Sequence, residues 1–194
     1  MRDRFRTQIR DEVKAAALRQ LAAGGPQALS VNAIAKELGV SGPALYRYFA
    51  GRDELLTELI VDAYADLAAA LAAGSSFAVA YRAWALAQPH RYRLLFAAPL
   101  PGYDAQSDRL IAAAQEPMNL LIRALTPGPP PPPALSAQLA GWASRRGVPD
   151  VDPAVAVRAV ELWSRVHGLV SLEIEGNFTS MGLDPAPLYD ALSV

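Results

Sequence analysis

The 194-residue sequence contains no cysteine and only two histidines, His90 and His167. The first absence excludes disulfides and thiolate metal sites. The second leaves no metal-ligand pair at helical spacing and no histidine placed to activate a nucleophile. Aromatic residues make up 8% of the chain, and no stretch sustains the period-two alternation of Val, Ile and Thr expected of a half-buried sheet. No uninterrupted apolar run approaches the length of a membrane span. The opening MRDRFRTQIRDEV has no apolar core of the secretory kind. There is no phosphate-binding glycine loop. Asp104 and Asp108 lie four apart but have no histidine partner, and they read as a solvated pair. These absences argue against an enzyme, a cofactor, a metal site or a membrane protein, and the expected location is cytoplasmic.

Helix formers dominate what is present. The chain is 52% hydrophobic and rich in Ala and Leu, so an all-α fold of about nine to ten helices is expected. The net charge of −1 hides an asymmetry. Residues 1–52 hold nine Lys and Arg against four acids, a balance of +5, and the remainder holds nine against fifteen, a balance of −6. A basic head on an acidic body suits contact with a polyanion through one end.

Helix signals follow in order. Phe5, Ile9, Val13, Ala17 and Leu21 form one stripe over about Asp3–Ala23, which Gly24, Gly25 and Pro26 close. Ser30 is an N-cap, and Leu29 can staple onto Ile34; Gly39 supplies a left-handed C-cap with Val40 beyond it. Ser41 caps a third helix with Pro43 in its first turn. Leu45 and Phe49 face inward there, leaving Gly42, Pro43, Ala44, Tyr46, Arg47 and Tyr48 largely outward. A fourth helix starts near Arg52 and runs to about Ala73, with Asp53 and Glu54 in its first turn. Later helices are expected at Phe77–Gln88, His90–Ala97, Asp104–Leu125 (kinked at Pro117), Ala134–Gly147, Pro153–Glu175 and Leu183–Leu192. TPGPPPPP, Thr126–Pro133, reads as a stiff polyproline spacer.

The segment LSVNAIAKELGVSGPALYRYFAGRDELL, Leu29–Leu56, therefore reads as a helix-turn-helix, followed by a new helix N-terminus beside a cation. Each part suits DNA. A tyrosine hydroxyl donates to a phosphate, arginine reaches a phosphate or the edge of guanine, and a helix N-terminus favours a phosphate.

This segment resembles the DNA-binding domain of the TetR family of transcriptional regulators, on the pattern IA…LGVS…LYRYF…ELL. ELWSRVHGLVSLE (Glu161–Glu173) and AWALAQPHRYRLLF (Ala83–Phe96) resemble a subgroup with a Trp-His-Gly signature in the C-terminal domain. The resemblance implies a DNA-binding domain at 1–52 and an effector-binding and dimerisation domain at 53–194, with the helix 52–73 as the link. It implies a homodimer that binds a palindromic operator in double-stranded DNA, usually as a repressor, and is released by a small-molecule effector. Carried over by position, the DNA contacts are Asn32, Ser41, Gly42, Pro43, Ala44, Tyr46, Arg47, Tyr48 and Arg52. Gly42 and Ala44 depart from the polar residues often found there, so base reading falls on Arg47, Asn32 and an Ala44 contact to a thymine methyl.

In the second domain Tyr81, Trp84, Phe96, Met118, Leu121, Trp163 and His167 are the candidates for an effector pocket, together with Leu95 and Val166. The scarcity of charge among them favours an apolar or aromatic effector. The last long helix carries apolar residues on more than one face, which a monomer does not need. Val155, Leu162, Val166, Leu169 and Val170 are accordingly expected at an isologous dimer interface, and the resemblance, which implies that the last two long helices pack against the partner's pair, adds Leu139 and Trp142. The rival reading is a helical ligand-binding or interaction module whose helix-turn-helix no longer reads DNA specifically.

Overall fold

From Ile9 onward the apolar stripe of the first helix forms the floor of the N-terminal core, while Phe5 is exposed. In the computed structural model, which describes residues 2–96, 103 and 107–192, α1 spans Arg2–Gly24. Val13, Ala16, Ala17 and Leu21 on α1 are buried. A short 3₁₀ turn, Pro26–Ala28, leads to α2 (Val31–Glu37), α3 (Gly42–Leu45) and α4 (Arg52–Ala73). Next come α5 (Phe77–Ala87), α6 (Pro89–Phe96) and α7 (Asp108–Ala124). The last four are α8 (Pro133–Arg145), α9 (Pro153–Ile174), α10 (Asn177–Met181) and α11 (Ala186–Asp190). The described residues are thus all-α with eleven α-helices. None of these helices is long and apolar enough to cross a membrane.

By their contacts the residues form two compact units. One contains Met1–Ala63 and His90–Ile111, the other Tyr64–Pro89 and Ala112–Val194. In the first, Ile34 and Ala35 of α2, Leu45 and Phe49, and Leu55, Leu56 and Leu59 of α4 close over the α1 stripe, and Leu94 of α6 packs on the edge. In the second, α9 contributes Val155, Ala159, Leu162, Val166 and Val170 to the core, beside Ala78, Tyr81 and Ala85 of α5.

The capping signals are realised in atomic detail except at Ser41, which takes the N-cap position of α3 but makes no side-chain cap hydrogen bond. The Ser30 side chain accepts from the Ala33 amide at 3.3 Å. Gly39 has φ 67°, and the Val40 amide donates to the Ala35 carbonyl at 3.0 Å, closing a Schellman-type end. Leu29 and Ile34 are both buried, as a staple requires. Asp152 accepts from the Ala154 amide at 2.8 Å, with Pro153 opening α9.

Four expectations are corrected. First, α3 is a single turn. After Leu45 three-residue bonds enter the ladder, from the Arg47 amide to the Ala44 carbonyl (3.3 Å) and from the Tyr48 amide to the Leu45 carbonyl (2.9 Å), beside a four-residue bond from the Phe49 amide to the Leu45 carbonyl (3.1 Å). Second, α7 ends one residue early, at Ala124; it is one helix with Pro117 inside it, as expected, and the expected start at Asp104 lies outside the described residues. Third, the spacer ends one residue early, because Pro133 takes the first position of α8, where proline lacks nothing it would use. Fourth, Gly176 does end α9, at φ 77°, but in the same left-handed conformation it opens α10, which the sequence reading did not anticipate.

Candidate DNA-binding and effector sites

The exposed surface around α3 is built on a firmly buried base. Leu45 and Phe49 are 1% exposed, and this pins the turn that carries the residues between them. Ser41, Pro43, Tyr46 and Arg47 are exposed, and Gly42 and Ala44 partly so. Asn32 is exposed on α2 and lies beside this surface: a Cβ added to Gly42 would sit 3.4 Å from its Oδ1. Two further residues are placed differently from the sequence reading. Tyr48 packs against the core, and its ring is part-buried rather than outward. Arg52 turns back toward the loop before α2. Its Nε donates to the Leu29 carbonyl at 3.2 Å and its Nη2 to the Pro26 carbonyl at 2.8 Å. The Glu54 carboxylate reaches back to accept from the Ala50 amide, capping the start of α4.

The sequence reading missed what holds this surface from beneath. Arg10 of α1 donates to the Tyr48 carbonyl at 2.6 Å and lies 4.4 Å over the Phe49 ring. Glu58 of α4 receives Arg10 at 3.1 Å and Arg109 of α7 at 2.5 Å. Burial pushes the Glu58 carboxyl up, but the hydrogen bonds and charges of Arg109 and Arg10 outweigh it and hold the group below its usual range. No local spacing signals a triad drawn from three helices.

In the second unit, Tyr81, Trp163 and His167 come together. The Tyr81 hydroxyl and His167 Nδ1 are 3.0 Å apart, and Trp163 stacks on the imidazole at 5.1 Å between ring centres. Burial holds His167 below its ordinary pKa, and so in the neutral form. Trp84 is buried and donates from its indole N–H to Asp66 at 2.9 Å. Met118 is half-buried on α7. Leu121 and the expected dimer residue Leu162 line a separate cavity of about 360 Å³. Phe96 belongs to the other unit, with its ring 5.1 Å from Tyr92; Leu95 is half-buried beside it.

The residues expected at a dimer interface divide by burial. Leu139, Val155, Leu162, Val166 and Val170 are buried inside their own unit, whereas Trp142 and Leu169 are half-buried. The exposed Val160 was not anticipated. It joins Leu135, Leu139, Trp142 and Arg145 in lining a groove between α8 and α9.

Residues 14–59 match the family model for bacterial regulatory proteins of the tetR family, and residues 75–193 match that for the tetracyclin repressor-like C-terminal domain. HTH-type transcriptional regulator Mb1846 of Mycobacterium bovis is 34% identical over an alignment covering 96% of this chain and 89% of that protein. HTH-type transcriptional regulator Rv1816 of Mycobacterium tuberculosis shows the same identity and coverage. The crystal structure of SCO4313 superposes with a TM-score of 0.83 at 45% identity, covering 99% of this chain and 96% of that one. On both domain matches and on these relatives, the chain belongs to the TetR family, whose members regulate transcription by binding DNA through a helix-turn-helix rather than by catalysis.

Proposed function

We propose that the chain is a cytoplasmic repressor that binds a palindromic operator as a homodimer and releases it when a small effector with an apolar or aromatic body is bound. Residues 1–52 serve as the DNA-binding domain, residues 53–194 bind the effector and dimerise, and the helix 52–73 links the two. The observation that carries the reading is the exposed set Ser41, Pro43, Tyr46 and Arg47 on a buried base, with Asn32 beside it. Tyr46 donates to a phosphate, Arg47 and Asn32 reach base edges, and Ala44 lies against a thymine methyl. Arg52 acts indirectly, by bracing the loop before α2. Tyr81, Trp163 and His167 form the aromatic cluster against which an aromatic effector would pack.

Selecting bound duplexes from a random pool tests the operator and the dimer together. A palindromic consensus is the expected outcome. Arg47→Ala should then cost about 1–3 kcal/mol and relax one position, and Tyr46→Phe should weaken all sequences alike. Recovery of no consensus, with weak binding that ignores salt, would favour the rival interaction module.

A further inference from the structure

The second unit holds a cavity of about 360 Å³ that Tyr81, Trp84, Met118, Trp163 and His167 do not line. This volume lies at the small end of pockets that enclose organic ligands, about 300–1,000 Å³. Leu71, Phe77, Leu121, Leu162 and Leu192 give it an apolar wall drawn from α4, α5, α7, α9 and the segment after α11. Among the described lining residues only Arg123 is charged. Its guanidinium is paired with Glu116 at 2.7 Å, but both side chains are more than half exposed, at 55% and 51%. An exposed pair of this kind contributes little, so a better partner can displace Glu116. Ser75 and Phe77 line the cavity, and the hydroxyl of Ser76 between them is buried without a hydrogen-bond partner. Greasy walls, one displaceable fork of donors and a nearby unsatisfied hydroxyl describe a host for an amphiphile with a single anionic head.

We propose that this cavity binds an apolar monocarboxylate, with its tail among the leucines and its carboxylate on Arg123. The wall at Leu192 is held by side chains. Tyr189 of α11 donates to Glu173 of α9 at 2.9 Å, and Arg82 of α5 forks onto the same carboxylate, with its nearest contact at 2.6 Å. Tyr189 is itself 1% exposed, so these contacts fix the segment that carries Leu192 against α5 and α9 and keep this wall of the cavity in place. The regulatory consequence of this site, though not the binding itself, rests on the effector reading above.

Titration calorimetry on the full chain with decanoate, kept below micelle formation, tests the site. Decanol and decyltrimethylammonium serve as neutral and cationic controls. Decanoate is expected to bind once per chain and decyltrimethylammonium not at all. Arg123→Ala should weaken decanoate about tenfold toward the affinity of decanol. Ala124 and Ala72 are exposed lining residues, so Ala124→Trp or Ala72→Trp should block the cavity with little change in unfolding temperature. Absence of decanoate binding overturns the proposal, as does binding unaffected by Arg123→Ala or retained in both tryptophan variants. Operator release is read separately by fluorescence anisotropy. Decanoate that binds in this pattern yet leaves DNA bound upholds the site and removes it from the effector reading.

Discussion

Arg52 shows how one side chain can brace the helix-turn-helix from the start of the following helix. Its fork closes the Pro26 and Leu29 carbonyls, the two anchors of the loop that sets the start of α2. The side chain is 36% exposed, which discounts the bonds to about 1–2 kcal/mol together. Arg52→Ala should lower stability by that amount in urea unfolding, and Arg52→Lys should restore little, because an ammonium cannot span two carbonyls as a fork. Gly42 presents the opposite case. A Cβ there meets only Asn32 Oδ1, at ordinary van der Waals distance, and the backbone φ is not in the left-handed region. Gly42→Ser should leave stability within about 0.5 kcal/mol and shift the selected operator sequence, since it adds a donor to the exposed surface. At His167 the sign of the pH effect follows from burial. The folded chain binds a proton less readily than the unfolded one, so stability is full above the imidazole's ordinary value of about 6.5 and falls as pH drops below it. Thermal unfolding between pH 7.5 and pH 5.5 should show this loss (a window set by the ordinary value), and His167→Gln should reduce it.

At the scale of elements, the end of α3 depends on helices far from it in sequence. The Tyr48 carbonyl is fixed by Arg10, and Arg10 by Glu58, which Arg109 also engages. Glu58 is 13% exposed, so removing its charge leaves two guanidinium groups facing a largely buried gap. Glu58→Gln should cost about 1–3 kcal/mol in chemical unfolding, and should weaken operator binding beyond what the stability loss explains. Because its carboxyl is held below the usual range, the contribution of Glu58 is present at neutral pH and fades as pH falls through the carboxylate region; the variant should flatten that slope. The contrast explains what the sequence revealed. Ser30, Gly39, Asp152 and Pro153 act on neighbours within a few residues, so capping rules locate them and the helices they bound. The single-turn form of α3 was not legible, because it is decided by where Phe49 is buried and where Arg10 pulls, across 38 residues of chain. The inward packing of Tyr48 and the return of Arg52 to the loop escaped for the same reason: each is a long-range contact with no spacing to mark it.

At the scale of the molecule, the unresolved tension is between apolar residues that fill a core and apolar residues that await a partner. The sequence assigned both kinds to α9, because period alone does not say which face is already covered. Burial separates them: Val155, Leu162, Val166 and Val170 are consumed by their own unit. Val160, at 36% exposure, lies instead in the groove of about 460 Å³ that Leu135, Trp142 and Arg145 line with it. The Arg146 guanidinium stacks 4.8 Å from the Trp142 ring and donates to the Gln115 carbonyl at 2.7 Å, which holds that ring in place before any partner arrives. A preordered aromatic beside an exposed valine is the kind of anchor around which interfaces concentrate their energy. We expect Val160→Arg, which forces charges together across a two-fold contact, to convert a dimer to a monomer in light scattering at micromolar concentration without lowering the unfolding temperature of the monomer. The same variant should lose most of its affinity for a palindrome while keeping that for a single half-site, since each head would then bind alone. If the substituted chain stays dimeric, the interface lies elsewhere; if the unsubstituted chain is monomeric at this concentration, the proposed homodimer falls.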